Sequence, residues 1–163
     1  MISDERTLSF GEMAREVNQV GNALRGLGVR FGEHVAVLAP DSAEWVSALF
    51  GTLKIGAIHV GLNTLLKPAD YAYMLRDCRA KALFVHATLL PAVESLRAEL
   101  PQLEHVLVIG EQAPEGTQHY ATLIAAQSAE LEAERTHRDD PCTLNYSSGT
   151  TGEPKGIIHA HKD

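Results

Sequence analysis

Residues 35–60, VAVLAPDSAEWVSALFGTLKIGAIHV, carry one complete strand–helix–strand unit. The unit opens on a short apolar run, Val35-Ala36-Val37-Leu38-Ala39, closed by the turn-forming Pro40-Asp41-Ser42. A helical stretch over 43–55 follows, with Trp45, Leu49, Phe50 and Leu53 expected to face inward. Ala57 to Val60 then reads as a second strand. Apolar runs without alternation are strands buried on both faces, which requires a sheet covered by helices.

The same rhythm extends in both directions. Over 11–27 the apolar residues Met13, Val17, Val20, Leu24 and Leu27 trace one helical face, with Glu12, Arg15, Glu16 and Asn18 on the other sides. Ser9 is placed to cap this helix and Gly26-Leu27-Gly28 to stop it. Downstream, 68–77 reads as a helix burying Tyr71, Met74 and Leu75, 82–85 as a strand, 89–100 as a helix and 106–109 as a strand. Strand and helix alternate at a pitch of roughly two dozen residues without sequence self-similarity, so the fold class is α/β with a parallel sheet. Residues 112–118 read as a loop, and the acidic 130–134 as the solvated end of a helix running from Tyr120. Arg138-Asp139-Asp140-Pro141 reads as a connector.

Composition bounds the function. The chain has 163 residues, enough for one compact unit, with 45% hydrophobic and 21% charged residues. A formal charge of -7 argues against a nucleic-acid binder, which needs a basic stripe. Cys78 and Cys142 form no CxxC pair, so a reducing, cytoplasmic setting is expected. MISDERTLSF has no apolar h-region of a secretory signal, and no apolar run approaches the ~18 residues of a membrane span.

The chemistry is concentrated in Tyr146-Ser147-Ser148-Gly149-Thr150-Thr151-Gly152-Glu153-Pro154-Lys155-Gly156. Glycines let backbone N–H groups turn toward a ligand, hydroxyls add short donors, and Lys155 adds a mobile positive charge. These are the parts needed to wrap a polyphosphate. The segment is not a Walker A loop, which has Gly-Lys-Ser/Thr entering a helix; here Pro154 forbids helix continuation around Lys155. Residues 142–146 and 156–159 both read as strands, so the segment is a strand–loop–strand turn. An unselected flexible linker would seldom combine this order of hydroxyls, glycines, proline and lysine between two apolar strands.

Leu144 through Lys155 resembles the AMP-binding motif of the adenylate-forming enzymes, which comprise acyl-CoA synthetases, adenylation domains of peptide synthetases and luciferases. Leu8-Ser9-Phe10-Gly11-Glu12-Met13 is similar to the first core motif, Leu-Thr-Tyr-x-Glu-Leu. Leu53-Lys54-Ile55-Gly56-Ala57 is similar to the second, Leu-Lys-x-Gly-Ala. Residues 63–75 and the closing His159-Ala160-His161-Lys162-Asp163 look most like benzoate-type aryl-CoA ligases. The resemblance implies a three-layer α/β/α Rossmann-like subdomain over 1–163, with 144–156 as the phosphate-binding loop. It further implies a first step in which a carboxylate attacks the α-phosphorus of ATP, and a second in which coenzyme A takes the acyl group. Ser147, Ser148, Gly149, Thr150, Thr151 and Gly152 would cradle the β- and γ-phosphates, Lys155 would supply charge at the closing loop, and Thr150 or Thr151 would face Mg²⁺. Family members are much longer, and their pockets for adenine, ribose and acid and their adenylation lysine have no counterpart here. The chain is therefore expected to be an N-terminal fragment, inactive alone, with no assigned catalytic residue and an apolar face open to self-association.

Other readings are weaker. His159 and His161 have the two-residue spacing of ligands on one strand face, but no third ligand cluster accompanies them. The other histidines, His59 among them, read as structural or surface residues. Gly26, Gly28 and Gly32 end a helix where a dinucleotide fingerprint would follow a strand. Asp139-Asp140 reads as a solvated turn, and Trp45, Tyr71 and Tyr73 as core or interface residues. The alternative function is a stand-alone ATP-binding or interaction module without catalysis.

Overall fold

The computed structural model describes residues 6–147 and 153–163. The helices are α1 (Phe10–Gly26), α2 (Ala43–Lys54), α3 (Pro68–Asp77), α4 (Leu90–Glu94) and α5 (Tyr120–Ala125). The strands are β1 (His34–Leu38), β2 (Ile58–Gly61), β3 (Ala82–His86), β4 (His105–Ile109), β5 (Gln118–His119), β6 (Pro141–Ser147) and β7 (Lys155–Ala160). They form one seven-stranded sheet of order β5-β4-β3-β1-β2-β6-β7. Pairing is parallel throughout except for the antiparallel hairpin β6–β7. The α/β class with a mostly parallel sheet is thus the observed one.

Alternation along the central strands feeds two cores. Val35, Val37, Phe84 and Leu107 pack with Val20 and Leu24 of α1 and Ile124 of α5. Leu38, Val60, Leu83, Val85 and Val108 point the other way, against Tyr71 and Leu75 of α3 and Val93 of α4. Both cores are closed to water because helices cover both faces.

Helix starts and stops follow local chemistry. Ser9 caps α1 in a full capping box, its hydroxyl accepting from the Glu12 N–H while the Glu12 carboxylate accepts from the Ser9 N–H. Ser42 caps α2 by accepting from the Trp45 N–H. The first three helices all end in the same motif. The Gly28 N–H donates to Arg25 O and the Val29 N–H to Leu24 O; Gly56 and Ala57 repeat this with Leu53 and Thr52, and Arg79 and Ala80 with Arg76 and Leu75. The turning residues have φ of 81°, 73° and 50°, respectively.

Four expectations need correction. Leu49 and Leu53 of α2 are only half-buried, and Phe50 is 51% exposed. The buried face is Ala43, Ser47, Ala48, Gly51 and Thr52, because α1 lies so close that a Cβ at residue 51 would sit 2.8 Å from Val20 Cβ. Small residues permit that approach; the large ones point elsewhere. Glu16, expected toward solvent, is 9% exposed. Its carboxylate receives the Arg6 guanidinium at 2.8 Å, the Tyr120 hydroxyl at 2.9 Å and the Ser47 hydroxyl at 3.2 Å, which satisfies the buried charge.

The stretch 89–100 is not one helix. It breaks after Glu94 and resumes as a 3₁₀ turn, Arg97–Glu99. The face position following Leu90 and Val93 is Arg97, and Pro101 keeps Leu100 out of helical geometry (φ −122°, ψ 63°). The acidic segment 130–134 is not helical either, since α5 ends at Ala125. Residues 127–130 run along α1, where the Asn18, Gln19 and Asn22 side-chain amides donate to the carbonyls of Ala129, Gln127, Ser128 and Glu130. Those bonds satisfy backbone that a helix would have satisfied internally.

Gly28→Ala should lower unfolding stability by about 1 kcal/mol, the left-handed penalty alone, because nothing lies within 4 Å of the new Cβ. At Gly56 the Cβ would also strike the Phe31 ring at 2.5 Å, so Gly56→Ala should cost at least about twice as much. Urea denaturation of the two variants beside the wild type measures the difference.

Candidate functional site

The hairpin β6–β7 presents the motif. β6 runs parallel to β2, so its last residue, Ser147, emerges at the edge where β1 ends at Leu38 and β2 at Gly61. Ligands of open α/β sheets gather outside the carboxyl ends of the strands. In the antiparallel ladder Ser147 pairs with Lys155 and Tyr146 with Gly156, which brings two of the expected phosphate-binding residues face to face at the hairpin mouth. Both are exposed. Ser148, Gly149, Thr150, Thr151 and Gly152 lie outside the described residues.

Two clefts flank the mouth. One, of about 470 Å³, is lined by Asp41, Trp45, Gly61, Asn63, Thr64 and Asn145, all at the same edge. The other, of about 480 Å³, lies against α3 and is lined by Tyr73, Arg76, Asp77 and Glu153. Between them the β6 side chains alternate from Leu144 onward. Leu144 and Tyr146 pack into the core that includes α3, while Asn145 and Ser147 are exposed. The Tyr146 hydroxyl donates to the Asp77 carboxylate at 2.6 Å and approaches Met74 O at 3.2 Å. Burial, and then Asp77, hold this phenol well above the usual tyrosine range, so it remains a donor. Burial pushes the neighbouring Cys78 thiol up to about 12, which leaves it un-ionised and without nucleophilic character at neutral pH.

Beneath the first cleft lies His59, 2% exposed, with neither ring nitrogen hydrogen-bonded among the described residues. Its ring and that of Trp45 pack edge to face, with centroids 5.3 Å apart and planes at 77°. It is the residue of β2 that pairs with Thr143, so it sits where the hairpin joins the parallel strands. Burial lowers its pKa to about 4. The sequence offered no signal for this placement, because a lone histidine in a short apolar run reads only as structural. Asp77 likewise was legible as the end of a helix but not as the partner of Tyr146. His159 ends within β7 while His161 falls in the turn beyond it, so the two do not share a strand face. Among the described residues no group of three or more His, Cys, Asp or Glu is placed to hold a metal, and no helix is long and apolar enough to cross a membrane.

The description "AMP-binding enzyme" matches residues 1–163. The chain is 39% identical to the 3-hydroxybenzoate–CoA/4-hydroxybenzoate–CoA ligase of Thauera aromatica, over 99% of this chain and 31% of that protein. Among solved structures it is similar to the anthranilate CoA ligase AuaEII in complex with anthranoyl-AMP, at 58% identity and a TM-score of 0.97, covering 99% of this chain and 31% of that one. The benzoate CoA ligase of Burkholderia xenovorans LB400 superimposes with a TM-score of 0.86 at 31% identity, again over 99% of this chain and 31% of that one. The chain therefore spans about 31% of the length of these relatives.

An unfolded chain protonates His59 near pH 6.5, the folded one only near 4. Unfolding therefore takes up a proton between those values. The His59 contribution should be absent above pH 6.5 and grow to a destabilisation of order 3 kcal/mol as pH falls to 4. Urea midpoints of wild type and His59→Leu, compared at pH 7 and pH 4.5, should diverge in favour of the variant at the lower pH. A constant gap would refute this assignment.

Proposed function

The chain belongs to the AMP-binding enzyme family, and from that premise we propose that residues 1–163 form the first α/β subdomain of an AMP-forming aryl-CoA ligase. The acid is an aromatic carboxylate of the benzoate class, with an aminobenzoate the first candidate, in keeping with the 58% identity to an anthranilate CoA ligase. ATP and coenzyme A are the co-substrates. The free thiols Cys78 and Cys142 fit a cytoplasmic setting.

The observation that carries the reading is the pairing of Ser147 with Lys155 at the carboxyl edge of the parallel strands. In the adenylation step a carboxylate oxygen bonds to the α-phosphorus, the bond to the bridging oxygen breaks, and its electron pair leaves on pyrophosphate. Negative charge grows on the leaving group, so donors held there stabilise the transition state more than the ground state. Ser147 contributes a hydroxyl and Lys155 a positive charge to that place. Ser148, Gly149, Thr150, Thr151 and Gly152 complete the proposed phosphate cradle. The hydroxyls of the motif are hard oxygen donors of the kind Mg²⁺ takes beside substrate phosphates. When bound, Mg²⁺ would neutralise phosphate charge; Thr150 or Thr151 is the hydroxyl proposed to meet it.

Carboxylate-dependent exchange of pyrophosphate into ATP tests the assignment. A protein carrying this chain at the full length of its relatives should exchange with anthranilate or benzoate, and the 163-residue chain alone should not. Lys155→Ala in the longer protein should lower kcat/KM for ATP by roughly tenfold or more, with much of the loss in kcat, because the charge-assisted contact strengthens as pyrophosphate departs. Failure of exchange with every aromatic acid offered would overturn the ligase reading.

A further inference from the structure

Main-chain pairing holds the hairpin to the parallel strands at one point. Among the described residues, β2 and β6 share the pair His59–Thr143, whereas β1–β2 and β1–β3 run through four pairs each and β3–β4 through five. Beyond Thr143, β6 continues beside β2 to Ser147 with no further paired residues among those described. Side chains hold this far end. Leu144 enters the core, and the Tyr146 ring packs against the same cluster. An apolar contact tolerates sliding; a hydrogen bond of fixed length and direction does not. The Tyr146 hydroxyl makes such bonds to the end of α3, to Asp77 at 2.6 Å and Met74 O at 3.2 Å. The shorter is of the length of an O–H bond to a carboxylate.

Tyr146 is the peptide neighbour of Ser147, and its ladder partner Gly156 is the peptide neighbour of Lys155. One phenol therefore constrains both backbones at the hairpin mouth. We propose that Asp77, acting through the Tyr146 hydroxyl, is a positioning residue that fixes Ser147 and Lys155 for a bound triphosphate. The ligand in this inference rests on the phosphate-site reading above; the latch itself does not. Neither Asp77 nor Tyr146 needs to touch the nucleotide.

Residue-resolved amide hydrogen exchange on a protein carrying this chain at the full length of its relatives, with MgATP as the probe, tests this. Tyr146→Phe and Asp77→Ala should each speed exchange of the hairpin amides (144–147 and 155–158) by about tenfold, leaving β1, β3 and β4 unchanged. The double variant should exchange no faster than either single one, since both remove the same bond. Asp77→Asn, whose side-chain oxygen still accepts the hydroxyl, should keep wild-type exchange. MgATP should slow the hairpin amides in wild type and Asp77→Asn, and less in Asp77→Ala. Wild-type hairpin rates in Tyr146→Phe and Asp77→Ala would overturn the latch, as would an equal acceleration across the whole sheet. If MgATP protects nothing in the wild type, the phosphate reading fails, and with it the ligand half of this inference; the basal rates still decide the latch.

Discussion

Three residues in left-handed conformation, Gly28, Gly56 and Arg79, set the geometry on which the rest of the structure depends. A parallel sheet requires each helix to deliver the chain back to the edge where strands begin. In each case the helix ends in a pair of closing bonds, and the next strand starts within a few residues. These reversals align the amino ends of β1, β2 and β3 at one edge, so their carboxyl ends, with that of β6, lie together at the other. The candidate site exists at that edge for this reason. Arg79 is the telling member, because a non-glycine residue bears the left-handed penalty where the topology demands the turn.

The antiparallel hairpin is an addition to this parallel frame, and its attachment differs in kind. The central strands are buried on both faces and laddered on both sides, so their position is over-determined. Among the described residues β6 has one pair to β2, made by His59, whose ring nitrogens have no hydrogen-bond partner there, and a phenol reaching to α3. A site built there draws its precision from a few named side chains. It also has room around it, with clefts on both flanks. Open space at a loop is what a nucleotide requires, and scarce main-chain pairing follows from the same openness.

Charge inside the first helical layer is handled by complete pairing. Arg6 lies between Glu16 and Glu44, and Tyr120 and Ser47 add donors to Glu16, so α1, α2 and α5 are joined through one carboxylate. His59 is the opposite case. It has no partner among the described residues, and it remains neutral because burial favours the uncharged ring.

Much of this protein was legible from its sequence alone. Unbroken apolar runs such as 35–39 fixed the parallel class, the 4-3-4-3 spacing from Met13 to Leu27 fixed α1, and Ser9 marked its start, because these depend on near neighbours in the chain. The proposal of a phosphate site also rests on a local property, the density of donors in the order of hydroxyls, glycines, proline and lysine from Ser147 to Lys155. Tertiary structure decided what depends on close approach or on distant partners. It buried Ala48 and Gly51 and exposed Phe50, because α1 and α2 touch through small residues. It turned Glu16 inward and laid 127–130 along α1, because polar partners far along the chain were waiting there. It joined Tyr146 to Asp77 across 69 residues, a contact no local pattern encodes, because it arises only once the helix end and the strand end have been folded against each other.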